Sequence, residues 1–202
     1  MTTRKSARRN LTTEAVVTAA ADLTDEIGYD ALTLAAVAER LGVASPSLYS
    51  HVGGLAKLRG LVAAAALRDF GDELRTAALG RSRTAALTSV AAAYRRWARQ
   101  HPGRYTATVE AADLDDPAYW SAAQRAIEVL FALLTGYGIT GDDAVDAMRV
   151  IRSTLHGFVE LEQGGVFELP QSVDRSFDRL VAGLDAALDE WAATPARRGE
   201  EQ

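Results

Sequence analysis

The residues with the most distinctive chemistry lie between positions 33 and 52, where the sequence reads TLAAVAERLGVASPSLYSHV. Its second half brings together three serines, a tyrosine and a histidine within seven positions, at Ser45, Ser47, Tyr49, Ser50 and His51. Hydroxyl and imidazole groups of this kind form hydrogen bonds with phosphates and with the edges of bases. The chemistry predicted here is therefore the binding of nucleic acid.

Two short helices joined by a tight turn would position these side chains. The first helix is predicted to begin after Thr33, which can cap it, and to end where Gly42 can adopt a left-handed conformation. The second is predicted to begin with Ser45 as its cap and Pro46 in its first turn, and to end before Gly53. The apolar positions that would face a core are Leu34, Val37, Ala38, Leu41, Leu48 and Val52. Such a helix pair can also be purely structural in an all-α protein, and this alternative stays open.

Residues 11–62 resemble the N-terminal DNA-binding domain of the TetR family of bacterial transcriptional regulators. The similarity covers a first helix at residues 13–27, the segments LTLAAVAERLGV and PSLYSHV, and the start of a fourth helix. It implies a helix-turn-helix regulator whose partner is double-stranded operator DNA. The DNA contacts it implies are Thr33, Ser45, Pro46, Ser47, Tyr49, Ser50, His51 and Lys57, with Tyr49 and His51 on phosphates. This chain departs from the family pattern at Ala44, where serine is frequent, and at Lys57, which comes later than the usual lysine.

Composition limits the class of protein. The 202 residues have a net charge of −5, and 48% of them are hydrophobic, which is ample for a core. With no cysteine, disulfides, thiolate metal sites and cysteine nucleophiles are excluded. No apolar run of membrane-spanning length and no signal peptide is recognised, so the sequence predicts a cytoplasmic protein without a membrane partner.

Charge is unevenly distributed along the chain. Residues 1–60 hold seven basic and six acidic side chains, whereas residues 61–202 hold fifteen basic and twenty-one acidic ones. Arg4, Lys5, Arg8 and Arg9 precede the first helix with no acid among them. This arm could lie along DNA phosphates, although a solvated tail is an equally good interpretation.

Beyond Gly54 the apolar spacing predicts only helices, at residues 55–79, 84–100, 102–110, 118–136, 142–163 and 173–193. The expected fold is all-α, with about nine helices. We divide it into a flexible basic arm at 1–10, a helix-turn-helix domain at 11–57, a helical effector-binding and dimerisation domain at 58–194 and a disordered tail at 195–202.

The last two helices carry apolar stripes that something must cover. They could pack on each other and, across a two-fold axis, on a second copy of the chain, or they could form the core of a monomer. The resemblance to TetR regulators favours a homodimer. The predicted interface residues are Met148, Ile151, Leu155, Val159, Phe177, Leu180, Val181, Leu184 and Leu188.

The C-terminal region is similar to that of one branch of TetR-like regulators, which implies a pocket for a small-molecule effector. Apolar walls with a few polar groups are typical of such pockets. The candidate effector contacts are Tyr94, Trp97, Tyr105, Glu110, Trp120, Phe131 and His156, although buried aromatic side chains often serve only to fill the core. The predicted function is that of a repressor released from a palindromic operator by this effector.

Two further groups of residues bear on metal binding and catalysis. His156 and Glu160 share a helical face, but two ligands are too few for a zinc site, and we predict neither a metal nor a cofactor. Asp113, Asp115 and Asp116 form an acidic loop with no base or nucleophile assigned beside it, so we predict no enzyme. A helical interaction adaptor or a small all-α enzyme that does not bind DNA remains the alternative.

Overall fold

All regular secondary structure is helical in the computed structural model, which describes residues 11–110 and 116–194. The helices of these residues are α1 Thr13–Ile27, α2 Leu34–Leu41, α3 Ser45–Val52, α4 Leu55–Ala78, α5 Arg83–Gln100, α6 Pro102–Glu110, α7 Pro117–Tyr137, α8 Gly141–Gln163 and α9 Val173–Ala193. The all-α prediction is confirmed. The basic arm, the C-terminal tail, Asp113 and Asp115 lie outside the described residues.

The ends of α2 follow the chemistry of its flanking residues. The Thr33 hydroxyl accepts a hydrogen bond from the Ala36 amide at 3.1 Å, and Gly42 adopts the left-handed conformation with φ 67°. Both predictions for this helix are confirmed. A β-carbon at a left-handed position is unfavourable, which explains glycine at the turn between α2 and α3.

The start of α3 corrects one prediction. Ala44, not Ser45, occupies the N-cap position, and no side chain caps the helix. Ser45 and Pro46 are already in the first turn, where the missing proline N–H leaves no hydrogen bond unmade. The Ser47 hydroxyl donates to the Ala44 carbonyl at 2.7 Å.

Helices α1 to α3 pack with the first half of α4 around an apolar core. Val16, Val37, Leu48 and Leu58 are fully buried there, so the inward orientation predicted for Val37 and Leu48 is confirmed. Ala107 of α6 and Tyr119 of α7 close the same core from the C-terminal side. Leu67 belongs to this core, whereas Phe70 and Leu74, further along α4, belong to the second one. Helix α4 therefore contributes to both cores. We call the part around the first core the DNA-binding half and the part around the second core the C-terminal half.

The second core is formed by apolar side chains of the six helices α4 to α9. At its edge, the nearly buried Arg95 binds acidic residues of two other helices. The Arg95 guanidinium donates to both carboxylate oxygens of Glu162, at 2.7 Å from Nε and 2.6 Å from Nη2. It also pairs with Asp174 at 2.8 Å and lies 4.8 Å from the centre of the Phe177 ring. One side chain thus links α5, α8 and α9.

The junction between the halves is formed by α1 and α6. Asp25 of α1 accepts hydrogen bonds from the Arg104 amide at 2.9 Å and lies 3.1 Å from Nδ1 of His101. Gly103 approaches so closely that a β-carbon there would lie 1.9 Å from the Thr24 carbonyl oxygen. Across the described part of the chain, no helix is long and apolar enough to cross a membrane.

Candidate nucleic-acid interface and ligand cavity

Helix α3 presents a polar face to solvent above its buried apolar side. Tyr49 is 57% exposed, and Pro46, Ser47 and Ser50 are exposed beside it. The Ser50 hydroxyl donates to the Ser47 carbonyl at 3.0 Å, just as the Ser47 hydroxyl donates to the Ala44 carbonyl. Their oxygen lone pairs stay available as acceptors, and each hydroxyl can rotate to donate elsewhere. This face combines small side chains with one long aromatic hydroxyl, a shape suited to a DNA groove.

Neighbouring residues fix the position of α3 and extend the same surface. The Thr13 hydroxyl donates to the His51 carbonyl at 3.0 Å, which ties the end of α3 to the start of α1. Thr33 and the half-buried His51 and Ser45 complete the predicted contact set.

Lys57 is engaged within the protein. Its ammonium lies 3.3 Å from Oδ2 of Asp116, and Oδ1 of the same carboxylate accepts a hydrogen bond from the Ala118 amide and so caps α7. The Ala118 amide and the Lys57 ammonium lower the pKa of the Asp116 carboxyl. The side chain of Lys57 is still 60% exposed, so the ammonium can exchange this carboxylate for a phosphate.

A cavity of about 520 Å³ lies between α4, α5, α6, α7 and α8. Most of its wall is apolar and comes from α4 and α7, whereas α8 supplies most of the polar groups. The lining residues are Leu67, Phe70, Leu74, Tyr94, Thr108, Val109, Tyr119, Trp120, Ala123, Ala126, Ile127, Leu130, Met148, Arg149, Arg152, Ser153 and His156. Its volume and its composition fit a small organic molecule.

Three side chains form a hydrogen-bonded chain at the edge of this cavity. The Tyr94 and Tyr105 hydroxyls are 2.8 Å apart, and the Tyr105 hydroxyl lies 2.6 Å from Nδ1 of His156. Burial raises the pKa of both tyrosines, so each keeps its proton and can donate it. Tyr94 and His156 line the cavity, and Tyr105 connects them from behind.

The predicted effector contacts divide into three groups. Tyr94, Trp120 and His156 line the cavity, and Tyr105 lies directly behind it. Trp97 and Phe131 do not line it: the Trp97 ring packs 4.9 Å from Phe70, and Phe131 packs against the second core. Glu110 is exposed at the end of α6 and is also not among the lining residues. These three predicted effector contacts therefore lie outside the wall of this cavity.

Sequence reasoning missed the basic groups of the cavity wall. Arg149, Arg152 and His156 occupy one flank of α8, at spacings of three and four residues. This helical spacing is visible in the sequence and could have identified a polar flank beside the buried stripe.

The predicted dimer residues also need correction. Ile151, Leu155, Val159, Phe177, Val181, Leu184 and Leu188 are buried within a single chain. Met148 lines the cavity, and Leu180 is the one side chain of this set that lies partly exposed without lining it. Side chains covered by their own protomer cannot also cover a second copy. The stripe predicted as an interface is the inner face of α8 and α9.

Comparison with known proteins agrees with this architecture. Residues 16–54 match the family model of bacterial regulatory proteins, tetR family, and residues 87–184 match that of the tetracyclin repressor-like C-terminal domain. The chain is 38% identical to an uncharacterised helix-turn-helix transcriptional regulator of Mycobacterium tuberculosis, over 89% of this chain and 82% of that protein. It is 31% identical to the class A tetracycline repressor of transposon 1721 from Escherichia coli, over 74% and 66% of the two chains. A solved structure of a TetR variant from Acinetobacter baumannii in complex with minocycline has a TM-score of 0.70 at 20% identity, covering 95% of this chain and 100% of that one.

Proposed function

Because this chain belongs to the TetR family of bacterial regulatory proteins, we propose that it is a homodimeric repressor that a small-molecule effector releases from a palindromic operator. It is a DNA-binding transcriptional regulator that responds to effectors. Repression is supported by the similarity to a tetracycline repressor. The observation that carries the proposal is the exposed polar face of α3, held on a buried apolar core.

The proposed DNA contacts follow from that face. Ser47 and Ser45, near the start of α3, lie nearest the base edges, and Tyr49 and His51 bind phosphates. Thr33, Pro46 and Ser50 complete the contact surface, and Lys57 reaches a phosphate once it leaves Asp116. A short helix that enters the major groove with its N-terminal residues toward the bases is the usual geometry of a helix-turn-helix protein.

A second copy of the chain would pack on the outer flank of α8 and α9. On α8, Val150, Thr154, Gly157 and Leu161 recur at spacings of four, three and four residues, and Val150 and Leu161 are exposed. On α9, Leu180, Gly183 and Ala187 form a comparable row of apolar and small residues. Small side chains let two helices approach closely, and exposed leucine and valine gain by burial. A dimer of this kind would place two α3 helices about one DNA turn, ~34 Å, apart.

Helix α6 offers a route from the cavity to the DNA-binding half. Thr108 and Val109 line the cavity at one end of the helix. At the other end Gly103 lies against the Thr24 carbonyl and the Arg104 amide binds Asp25. An effector that displaces α6 would therefore shift α1 and change the distance between the two α3 helices of the dimer, which are the recognition helices. The effector needs only to bind that second conformation better than the DNA-bound one.

The decisive experiment is selection of operators from random double-stranded DNA, followed by mobility-shift titration of the selected sequence. We expect a palindromic consensus, saturable binding by two copies of the chain and an affinity that falls steeply with salt concentration. Failure to enrich any sequence with a folded, dimeric protein would contradict the proposal and favour a helical adaptor.

A further inference from the structure

The walls of the ligand cavity differ strongly in polarity. Phe70 and Leu74 of α4 and Ile127 and Leu130 of α7 form an apolar side. The opposite side, on α8, carries two positively charged side chains, Arg149 and Arg152. Within the described ranges 11–110 and 116–194, no carboxylate side chain lines the cavity. A bound molecule would therefore meet apolar surface on one side and positive charge on the other.

The two arginines differ in whether an acidic side chain of the protein already pairs with them. Arg149 forms an ion pair with Asp146 at 3.2 Å. Among residues 11–110 and 116–194, no carboxylate lies within ion-pair distance of Arg152. The positive charge of Arg152 acts on the cavity: at Tyr119 it partly offsets the increase in pKa that burial causes, and at Tyr94 and Tyr105 it opposes the charge of Glu160, which lies outside the cavity wall. Arg152 is therefore the cation best placed to bind a ligand.

The chain Tyr94–Tyr105–His156 supplies a hydrogen-bond donor beside this cation. If the Tyr105 hydroxyl donates to Nδ1 of His156, a neutral imidazole carries its proton on Nε2, the nitrogen left for a ligand. If instead the imidazole donates to Tyr105, Tyr105 donates to Tyr94, and the Tyr94 hydroxyl is left to donate into the cavity. Either arrangement offers one donor to an acceptor group in the cavity.

We propose that the effector is a small organic acid, with an apolar body against α4 and α7 and a carboxylate bound by Arg152 and the Tyr94–Tyr105–His156 chain. This inference rests on the proposed function, in which the cavity is the effector site. A cationic ligand would face two arginines and, in the part of the chain that the structure describes, no lining carboxylate to balance them. A neutral ligand would make no use of the Arg152 charge, whereas a carboxylate would pair with it. Guanidinium and carboxylate form paired, charge-assisted hydrogen bonds.

The test compares matched acids and amides by isothermal titration calorimetry on the full chain without DNA. The probes are 2-naphthoate, indole-3-acetate and octanoate, each with its primary amide, because an amide keeps the apolar body and removes the charge. We expect at least one acid to bind about tenfold or more tightly than its amide, since a hydrogen bond to a charged group is the stronger kind.

Variants locate the source of that preference. Arg152→Gln should weaken binding of the acid about tenfold and change binding of the amide less than about twofold, because only the charged partner is lost. Arg152→Lys should give an intermediate loss for the acid, since it keeps the charge but not the planar pair of donors. Arg125→Gln removes the same charge from an exposed position of α7 outside the lining, and should leave both affinities unchanged.

Three results would overturn the proposal: equal binding of acid and amide, a preference for amides, or no binding of any of the three acids at millimolar concentration. An equal loss of acid and amide binding in Arg152→Gln would overturn the role of Arg152. Operator selection is carried out without ligand, so an operator that is found while no acid binds overturns the effector class and leaves the regulator intact. Acid binding without any selected operator contradicts the proposed function instead.

Discussion

The recognition helix and the cavity wall use polar side chains in opposite ways. On α3 the serine hydroxyls bind only carbonyls of their own helix, and Tyr49 projects into solvent. At the cavity, Tyr94, Tyr105 and His156 bind one another across α5, α6 and α8. Groups that must read a DNA groove have to be free to change partners, whereas groups that select a ligand are best fixed in advance. Polar substitutions on α3 should therefore change binding alone, whereas those at the buried polar links between α5, α6, α8 and α9 should also change stability.

The largest expected effect is a loss of stability at Arg95, which binds Glu162 and Asp174 and so links α5, α8 and α9. Arg95→Ala removes both hydrogen bonds to the half-buried Glu162 and leaves it only Arg99, at 3.8 Å, so the free energy of unfolding should fall by about 3 kcal/mol. Chemical denaturation followed by circular dichroism measures this change. Arg96→Ala, on the exposed side of the same helix, is the matched control and should change stability by less than about 1 kcal/mol.

The same link predicts how stability depends on pH. Hydrogen bonding to Arg95 holds the pKa of Glu162 below its ordinary value of 4.5. The stability contributed by a carboxyl with a lowered pKa is fully present above the ordinary value and is lost as pH falls through the folded-state value. The difference in unfolding free energy between the wild type and Glu162→Gln should thus be constant from neutral pH down to about 5 and shrink below that range. A difference that grows on acidification would contradict this assignment.

On α3 the effect should appear in DNA binding instead. The double variant Ser47→Ala with Tyr49→Ala should lose about 100-fold or more in affinity for the selected operator, since each good base or phosphate contact contributes roughly 1 to 3 kcal/mol. Its thermal unfolding and its ligand affinity should match the wild type, because both side chains are exposed and neither lines the cavity. Undiminished operator affinity would remove the basis for placing α3 in the groove.

Regular elements were well predicted because their signals are local. The observed helices begin and end within two residues of the sequence-based positions, at glycines, prolines and capping side chains. The exception is the N-cap of α3. Ser45 was chosen as the cap of α3 because serine is a good capping residue, but a cap also requires an extended backbone, which the structure has at Ala44.

The site was only partly predictable, because apolar periodicity shows which side chains are covered but not by what. Ile151 and Leu184 are covered by their own chain, where the sequence suggested a second copy. Trp97 and Tyr94 lie one turn apart on α5, yet only Tyr94 reaches the cavity. Choosing between them requires the position of α7, which local spacing does not contain.

The contact between the two halves gives a smaller expected effect on regulation. Gly103→Ala places a β-carbon against the Thr24 carbonyl, so the start of α6 has to move away from α1. Coupling between ligand and operator is typically worth ~1 to 3 kcal/mol, and we expect this variant to lose most of it. The measurement is the ratio of operator affinities with and without the tightest-binding acid. Gly60→Ala, with open space at its β-carbon, is the control that should keep the ratio. A normal ratio in Gly103→Ala would exclude α6 as the route.

The smallest effect is expected at the ion pair of Lys57 and Asp116, which links the DNA-facing half to the start of α7. Asp116→Asn keeps an acceptor for the Ala118 amide but removes the carboxylate that competes with phosphate for Lys57. Operator affinity should therefore rise about two- to threefold at low salt and return to the wild-type value at high salt, where surface charges are screened. Lys57→Gln should have the opposite effect and reduce the salt dependence by about one phosphate contact. A fall in affinity for Asp116→Asn would mean that the carboxylate positions Lys57 for DNA, so that the pair is part of the interface and not a competitor to it.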